Sequence, residues 1–112
     1  MAEAGWYQVR IDRGVVTVVL HGEFDLLETT QLDGALTPLI HPYARIAVDL
    51  SDVQFFGSSA LRVLLDVRHR SLVVGASFHI VNPSRCCRAL FDIAGVAEEL
   101  SLTGPGLDHV RG

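Results

Sequence analysis

The sequence predicts a single α/β domain built on a mixed β-sheet, and three observations support this class. Two β-rich runs at residues 6–11 and 15–20 are joined by a short connection that contains Gly14, which favours an antiparallel hairpin. Residues 45–50 form a nearly continuous apolar, β-branched run, as expected for a strand covered on both faces. Strand and helix patterns then alternate, which is typical of parallel βαβ units. We therefore expect the hairpin and the parallel strands to share one sheet, packed with about four helices.

The remaining elements follow in order along the chain. Residues 26–40 carry apolar side chains at helical spacing, with Asp25 placed to cap this helix and Pro38 placed to end or kink it. The pattern then predicts a helix over 58–70, a strand over 77–81 and a helix over 85–94, where Gly95 suits the position after the last turn. Residues 97–102 are expected to add a short strand or helix. The predicted boundaries are an extension at 1–5, one domain at 6–102 and a loose tail at 103–112.

Composition limits the functions that the chain can perform. With 112 residues, of which 49% are hydrophobic, it has the size of one domain with one core. The formal net charge is −4, which argues against nucleic acid as a partner. All nine basic side chains are arginine, so Schiff-base and P-loop chemistry, which need lysine, are excluded. The start lacks a basic and apolar leader pattern, and no stretch approaches the ~20 apolar residues of a membrane span, so we expect a cytoplasmic protein.

Cysteine and histidine give no pattern for a cofactor. Cys86 and Cys87 are adjacent, which rarely permits a disulfide, and Cys87 falls on the apolar stripe of its predicted helix. The five histidines show no metal-ligand spacing. We therefore expect neither a metal nor another cofactor.

The junction at residues 48–61 carries the strongest functional signal. It is expected to form a buried strand, a turn, and then a helix opened by Ser58 and Ser59. Unpaired N–H groups and the positive end of the helix dipole make such a position favourable for a phosphate. Helix capping is the alternative interpretation of the two hydroxyls.

Three segments together resemble the STAS domain, and within it the anti-sigma-factor antagonists of bacterial partner switching, over residues 7–102. The resemblance implies that an anti-sigma factor, itself a serine kinase, binds this chain and phosphorylates Ser59, with Ser58 as the alternative site. Phosphorylation would release the partner and a phosphatase would restore binding. The matching segments are Gly22-Glu23-Phe24-Asp25, Asp49-Leu50-Ser51-Asp52-Val53-Gln54-Phe55-Phe56-Gly57-Ser58-Ser59-Ala60-Leu61, and Asn82-Pro83-Ser84 followed by Ala89-Leu90-Phe91-Asp92-Ile93-Ala94-Gly95.

The expected partner-binding face lies around the serines. Phe55 and Phe56 should point to opposite sides of their strand, one into the core. The alternative role of Asp25 is to cap a helix. Asp52 and Gln54 could instead be solvated turn residues. The full set predicted for the face is Glu23, Asp25, Asp52, Gln54, Phe56, Gly57, Ser58 and Ser59.

Two departures from the family pattern keep other functions open. Gly57 stands where the family usually has aspartate, and Ala60 where it usually has glycine. The alternative function is therefore a STAS interaction module that is not phosphorylated, such as a subunit of a lipid-transport or signalling assembly. A third hypothesis is a small serine hydrolase, because Gly57-Ser58-Ser59-Ala60 is similar to a nucleophile elbow, although its last glycine is missing. We expect a binding protein and not an enzyme.

Overall fold

The computed structural model describes residues 3–100. Within this range it contains four strands, three α-helices and two short 3-10 turns, so the expectation of about four helices corresponds to three α-helices plus these turns. The strands are β1 (Trp6–Asp12), β2 (Val15–Phe24), β3 (Arg45–Phe56) and β4 (Ser77–Val81). The helices are α1 (Thr29–Leu36), α2 (Ser58–Val74) and α3 (Arg85–Ala94), and the 3-10 turns are Leu26–Glu28 and Thr37–Leu39.

The sheet has the predicted mixed topology, with strand order β1-β2-β3-β4. The β1–β2 pair is antiparallel, whereas β3 pairs in parallel with both β2 and β4. The hairpin turn places Arg13 and Gly14 at positive φ, 53° and 80°, which suits a two-residue connection between twisted strands. The register between β2 and β3 shifts twice, between Val19 and His21 and between Gly22 and Glu23.

The core is formed where α1, α2 and α3 pack against the sheet. Its residues alternate along β2, are nearly continuous along β3 and recur on one stripe of each helix, as their sequence patterns predict. The largest side chains with less than 2% of their surface exposed are Phe24, Phe91, Leu20, Leu32, Leu36, Ile46, Leu50, Leu64, Ile80, Leu100, Val18 and Val48.

Three predictions of local structure need correction, and β2 and α2 each end four residues beyond their predicted limits, at Phe24 and Val74. The helix expected at 26–40 is broken into a 3-10 turn, α1 and a second 3-10 turn. The predicted effect of Pro38 is confirmed, because α1 ends just before it, where its ring and missing N–H disfavour a regular helix. Strand β3 continues to Phe56, so no turn precedes the helix that carries the serines. Residues 97–100 form a turn and not a strand or helix, and the predicted tail at 103–112 lies outside the described residues. None of the helices in residues 3–100 has the length and apolar character that crossing a bilayer requires.

Candidate functional site at the start of helix α2

Ser58 and Ser59 lie at the junction between β3 and α2. Gly57 is the only residue between the two elements, and its N–H donates to the Phe24 carbonyl oxygen at 2.8 Å. The N-cap is Gly57, so the serines are the first two residues of the helix and not its cap; neither side chain makes a capping hydrogen bond. Ser58 is exposed and Ser59 is half-buried. The alternative interpretation, that these hydroxyls cap the helix, is therefore wrong, because β3 continues to Phe56 and Gly57 occupies the N-cap position.

Asp25 approaches the same junction from the end of β2. Instead of beginning an α-helix, it precedes the 3-10 turn Leu26–Glu28, and its N–H donates to Glu28 Oε1 at 3.0 Å. The Glu28 N–H in turn donates to the Asp25 carbonyl oxygen at 3.0 Å. The Asp25 carboxylate lies against Gly57: a Cβ built on Gly57 would be 2.5 Å from Asp25 Oδ1. Parallel pairing of β2 and β3 thus brings together two predicted site residues that are distant in sequence.

Two open depressions flank the junction. One has a volume of about 420 Å³, and the other, which contains both serines, of about 370 Å³. The first is lined by Glu23, Asp25, Leu26, Leu27, Glu28 and Phe55. The second is lined by Leu26, Thr29, Ser58, Ser59, Arg62 and Val63. The surface thus combines three carboxylates on one side, a single guanidinium on the other, and exposed leucines between them.

The structure exchanges the roles of the two adjacent phenylalanines. Phe56, which the sequence analysis placed on the binding face, is only 3% exposed and packs between Phe24 and Phe91, with ring centroids 6.3 Å from each. Phe55 is 45% exposed and lines the acidic depression. The prediction that they point to opposite sides is confirmed, but the aromatic side chain available to a partner is that of Phe55.

Asp52 belongs to a different cluster that the sequence analysis missed. It lies within β3 and accepts a hydrogen bond from His21 Nδ1 at 2.6 Å. The other ring nitrogen of His21 is 2.9 Å from Gln8 Oε1, and the ring stacks on Trp6 with centroids 4.1 Å apart. Strand register brings these residues together, and a period-two pattern alone does not reveal which residues lie opposite each other. Gln54 is exposed on β3, outside this cluster.

This cluster bears on the hydrolase hypothesis. A serine nucleophile needs a histidine nitrogen that accepts its proton, while the other nitrogen is oriented by a carboxylate. Asp52 does orient His21, but the remaining nitrogen faces Gln8 and not either serine. Among residues 3–100, no three histidine, cysteine or acidic side chains are arranged to hold a metal ion.

The two cysteines differ in their surroundings. Cys87 is fully buried, whereas Cys86 is half-buried with its Sγ 3.3 Å from Ser84 Oγ. Burial away from water disfavours the thiolate and raises the pKa of Cys87 from 9.0 to about 12. The thiolate is the reactive form, so Cys87 should be inert in the folded protein.

We expect Cys87 to escape modification by a disulfide reagent such as DTNB at pH 8 until the chain is unfolded. A pKa of about 12 leaves a thiolate fraction of about 10⁻⁴ at that pH. Because the native thiol keeps its proton above pH 9.0, where the unfolded one releases it, the free energy of unfolding should also fall as the pH rises above that value. Thiol counting on Cys86→Ser checks the first expectation, with Cys87→Ser as its control; rapid reaction of native Cys86→Ser would contradict it.

The chain is a small α/β domain with a mixed sheet, and a serine pair lies at the start of α2. Comparison with known proteins identifies its family. A family model described as "Mlab, STAS domain" matches residues 7–104. The chain belongs to the STAS domain family. Comparison with curated protein sequences gives no match.

Solved structures with this fold include several anti-sigma factor antagonists. One from Mycobacterium paratuberculosis is 25% identical with a TM-score of 0.81, over 96% of this chain and 92% of that chain. The antagonist SpoIIAA in its unphosphorylated form is 20% identical with a TM-score of 0.72, over 96% and 97% of the two chains. SpoIIAA from Bacillus in its phosphorylated form is 18% identical with a TM-score of 0.65, over 95% and 96%. At 20% and 18% identity, the two SpoIIAA structures show that this chain shares their fold.

Proposed function

We propose that this chain is a cytoplasmic, bacterial anti-sigma factor antagonist that binds an anti-sigma factor kinase through the surface around Ser58 and Ser59. The observation that carries the proposal is a serine pair at the start of α2, in a chain whose structure superposes with a TM-score of 0.81 on an anti-sigma factor antagonist. Binding would free the sigma factor, and phosphorylation of the chain would end binding. The protein acts as a substrate and a binding partner, and a phosphatase would reset it.

The position of the serines supports a binding switch that needs no refolding. A phosphate on either residue would stand at the positive end of the α2 dipole, close to N–H groups that have no partner within the helix. Arg62, one turn further along α2, lines the same depression as both serines. The fold could therefore tolerate the phosphate, while its charge of about −1.5 to −2 changes the surface that the partner meets.

Ser59 remains the proposed site of modification and Ser58 the alternative. The family resemblance assigns the second hydroxyl, whereas exposure favours the first, because Ser58 is exposed and Ser59 is half-buried. A kinase must draw the hydroxyl into its own active site, so modification of Ser59 requires the first turn of α2 to be accessible from the side of the depression that contains Arg62.

A second candidate function is a STAS module that binds a partner without being phosphorylated. The description of the matching family model, "Mlab, STAS domain", and the absence of an aspartate at Gly57 favour this candidate. Such a module would use the same surface, with Leu26, Leu27 and Phe55 as apolar contacts, as a constitutive docking site in a larger assembly.

Phosphate mapping separates the two candidates. We expect a purified anti-sigma factor kinase from a panel, incubated with the chain and ATP, to add one phosphate that mass spectrometry places on Ser59. Ser59→Ala should abolish the mass increase and Ser58→Ala should preserve it. The reverse pattern would assign the modification to Ser58, and stable binding without phosphate on either serine would favour the unphosphorylated module.

A further inference from the structure

Gly57 leaves a space that the carboxylate of Asp25 fills. A Cβ at this position would lie 2.5 Å from Asp25 Oδ1, closer than side-chain atoms approach each other in folded proteins, and 3.2 Å from Asp25 Cγ, a tight contact. The next neighbour is Phe55 Cε2 at 3.4 Å, an ordinary contact. The carboxylate and a side chain at position 57 therefore cannot occupy this volume together.

Backbone conformation does not explain the glycine. Gly57 has φ −90° and ψ 170°, extended values that any residue adopts, whereas Gly22 has a φ of 87° that favours glycine. Gly57 is thus required only by the space that Asp25 uses. The backbone of Asp25 is in turn held in place by the hydrogen bond from its N–H to Glu28 Oε1 and by the 3-10 turn that follows it.

We propose that Gly57 and Asp25 act as one unit in which the glycine positions the carboxylate beside the serines and the carboxylate determines which partner binds. This inference rests on the proposed function, because it concerns partner recognition at the same surface. Gly57 is the positioning residue, and Asp25 is the group that the partner contacts. Asp25 lines the acidic depression with Glu23 and Glu28, so its charge contributes to a surface that suits a basic side chain of the partner.

The geometry predicts that a side chain at position 57 affects binding more than folding. The obstructing atom is the far end of the Asp25 side chain, which can rotate away toward solvent because Asp25 is exposed. At Gly5, by contrast, a Cβ would lie 2.6 Å from the Glu23 carbonyl oxygen, which is backbone and cannot move without distorting the sheet. Gly57→Ala should therefore fold normally while displacing the carboxylate.

A double-mutant cycle tests the coupling. We expect Gly57→Ala and Asp25→Ala each to weaken binding of the anti-sigma factor kinase about tenfold, measured by calorimetry, and the double variant to lose no more than either single one. Asp25→Asn should weaken binding to the same extent, because the partner recognises the negative charge of Asp25. Gly34→Ala is the matched control, because a Cβ on Gly34 has no atom within 4 Å, and it should bind as the wild type does.

Additive losses in the cycle, or unchanged binding of Gly57→Ala, would overturn the inference. A measurement without the partner makes failure of the inference distinguishable from failure of the proposed function. In ¹H–¹⁵N spectra of the full chain, Asp25→Asn should shift the amide resonances of residues 57 and 58, and it should leave them unchanged when residue 57 is already alanine. If no kinase in the panel binds the wild type, the proposed function fails. The spectra still decide whether Gly57 positions Asp25. Equal shifts on Asp25→Asn with glycine and with alanine at position 57 would overturn that contact.

Discussion

Ser59→Glu is expected to weaken binding of the anti-sigma factor kinase about 100-fold. A unit charge placed about 6 Å from a partner charge, at an effective dielectric of about 20, changes the interaction by about 3 kcal/mol. The depression that contains Ser59 is lined by Arg62 and suits an acidic group of the partner, so a carboxylate at Ser59 would repel that group. Titration calorimetry at fixed, moderate salt measures the effect, since exposed charges are screened at high ionic strength.

Three variants serve as controls for that measurement. Ser59→Ala should keep near wild-type affinity, because it removes a hydroxyl without adding charge. Val73→Glu adds the same charge at a residue that is 71% exposed, about 21 Å further along α2, and should not alter binding. If Ser58→Glu weakens binding and Ser59→Glu does not, Ser58 is the switch residue. Equal affinities of Ser59→Glu, Ser58→Glu and the control variants would refute an electrostatic switch.

Phe91→Ala is expected to reduce the free energy of unfolding by about 3–5 kcal/mol, a large part of the total stability of a small domain. Phe91 is fully buried, and its ring meets that of Phe56 edge to face at 84°, with centroids 6.3 Å apart. Its truncation would leave a cavity between α3 and the end of β3. Chemical denaturation of the wild type and the variant gives the difference directly.

Ile93→Ala on the same helix is the matched control for Phe91→Ala. Ile93 is 85% exposed, so its truncation removes little buried surface and should change stability by less than about 0.5 kcal/mol. Similar losses for both variants would mean that α3 does not pack on the sheet through its Phe91 side.

Much of the fold follows from the sequence because its signals are local. Strands β1 and β4 and helix α3 were each predicted within about one residue, since a turn glycine, an apolar period or a glycine after the last helical turn lies within the segment that it defines. Local patterns failed where β2, β3 and α2 extend beyond their predicted ends, and at residues 97–100, which form a turn. Pairing of β2 with β3, two segments distant in sequence, determined how far both strands extend.

The candidate site shows the same difference between features that local sequence patterns predict and features that depend on contacts between distant segments. The sequence by itself determined that two serines begin a helix after a buried strand, whereas the family resemblance implied that Asp25 lies near them. Only the tertiary structure decided that the serines follow an N-cap glycine, that Phe55 and not Phe56 faces solvent, and that the Asp25 carboxylate fills the space above Gly57. The physical reason is that these facts depend on the parallel register of β2 with β3, which contains two irregularities that no local pattern encodes.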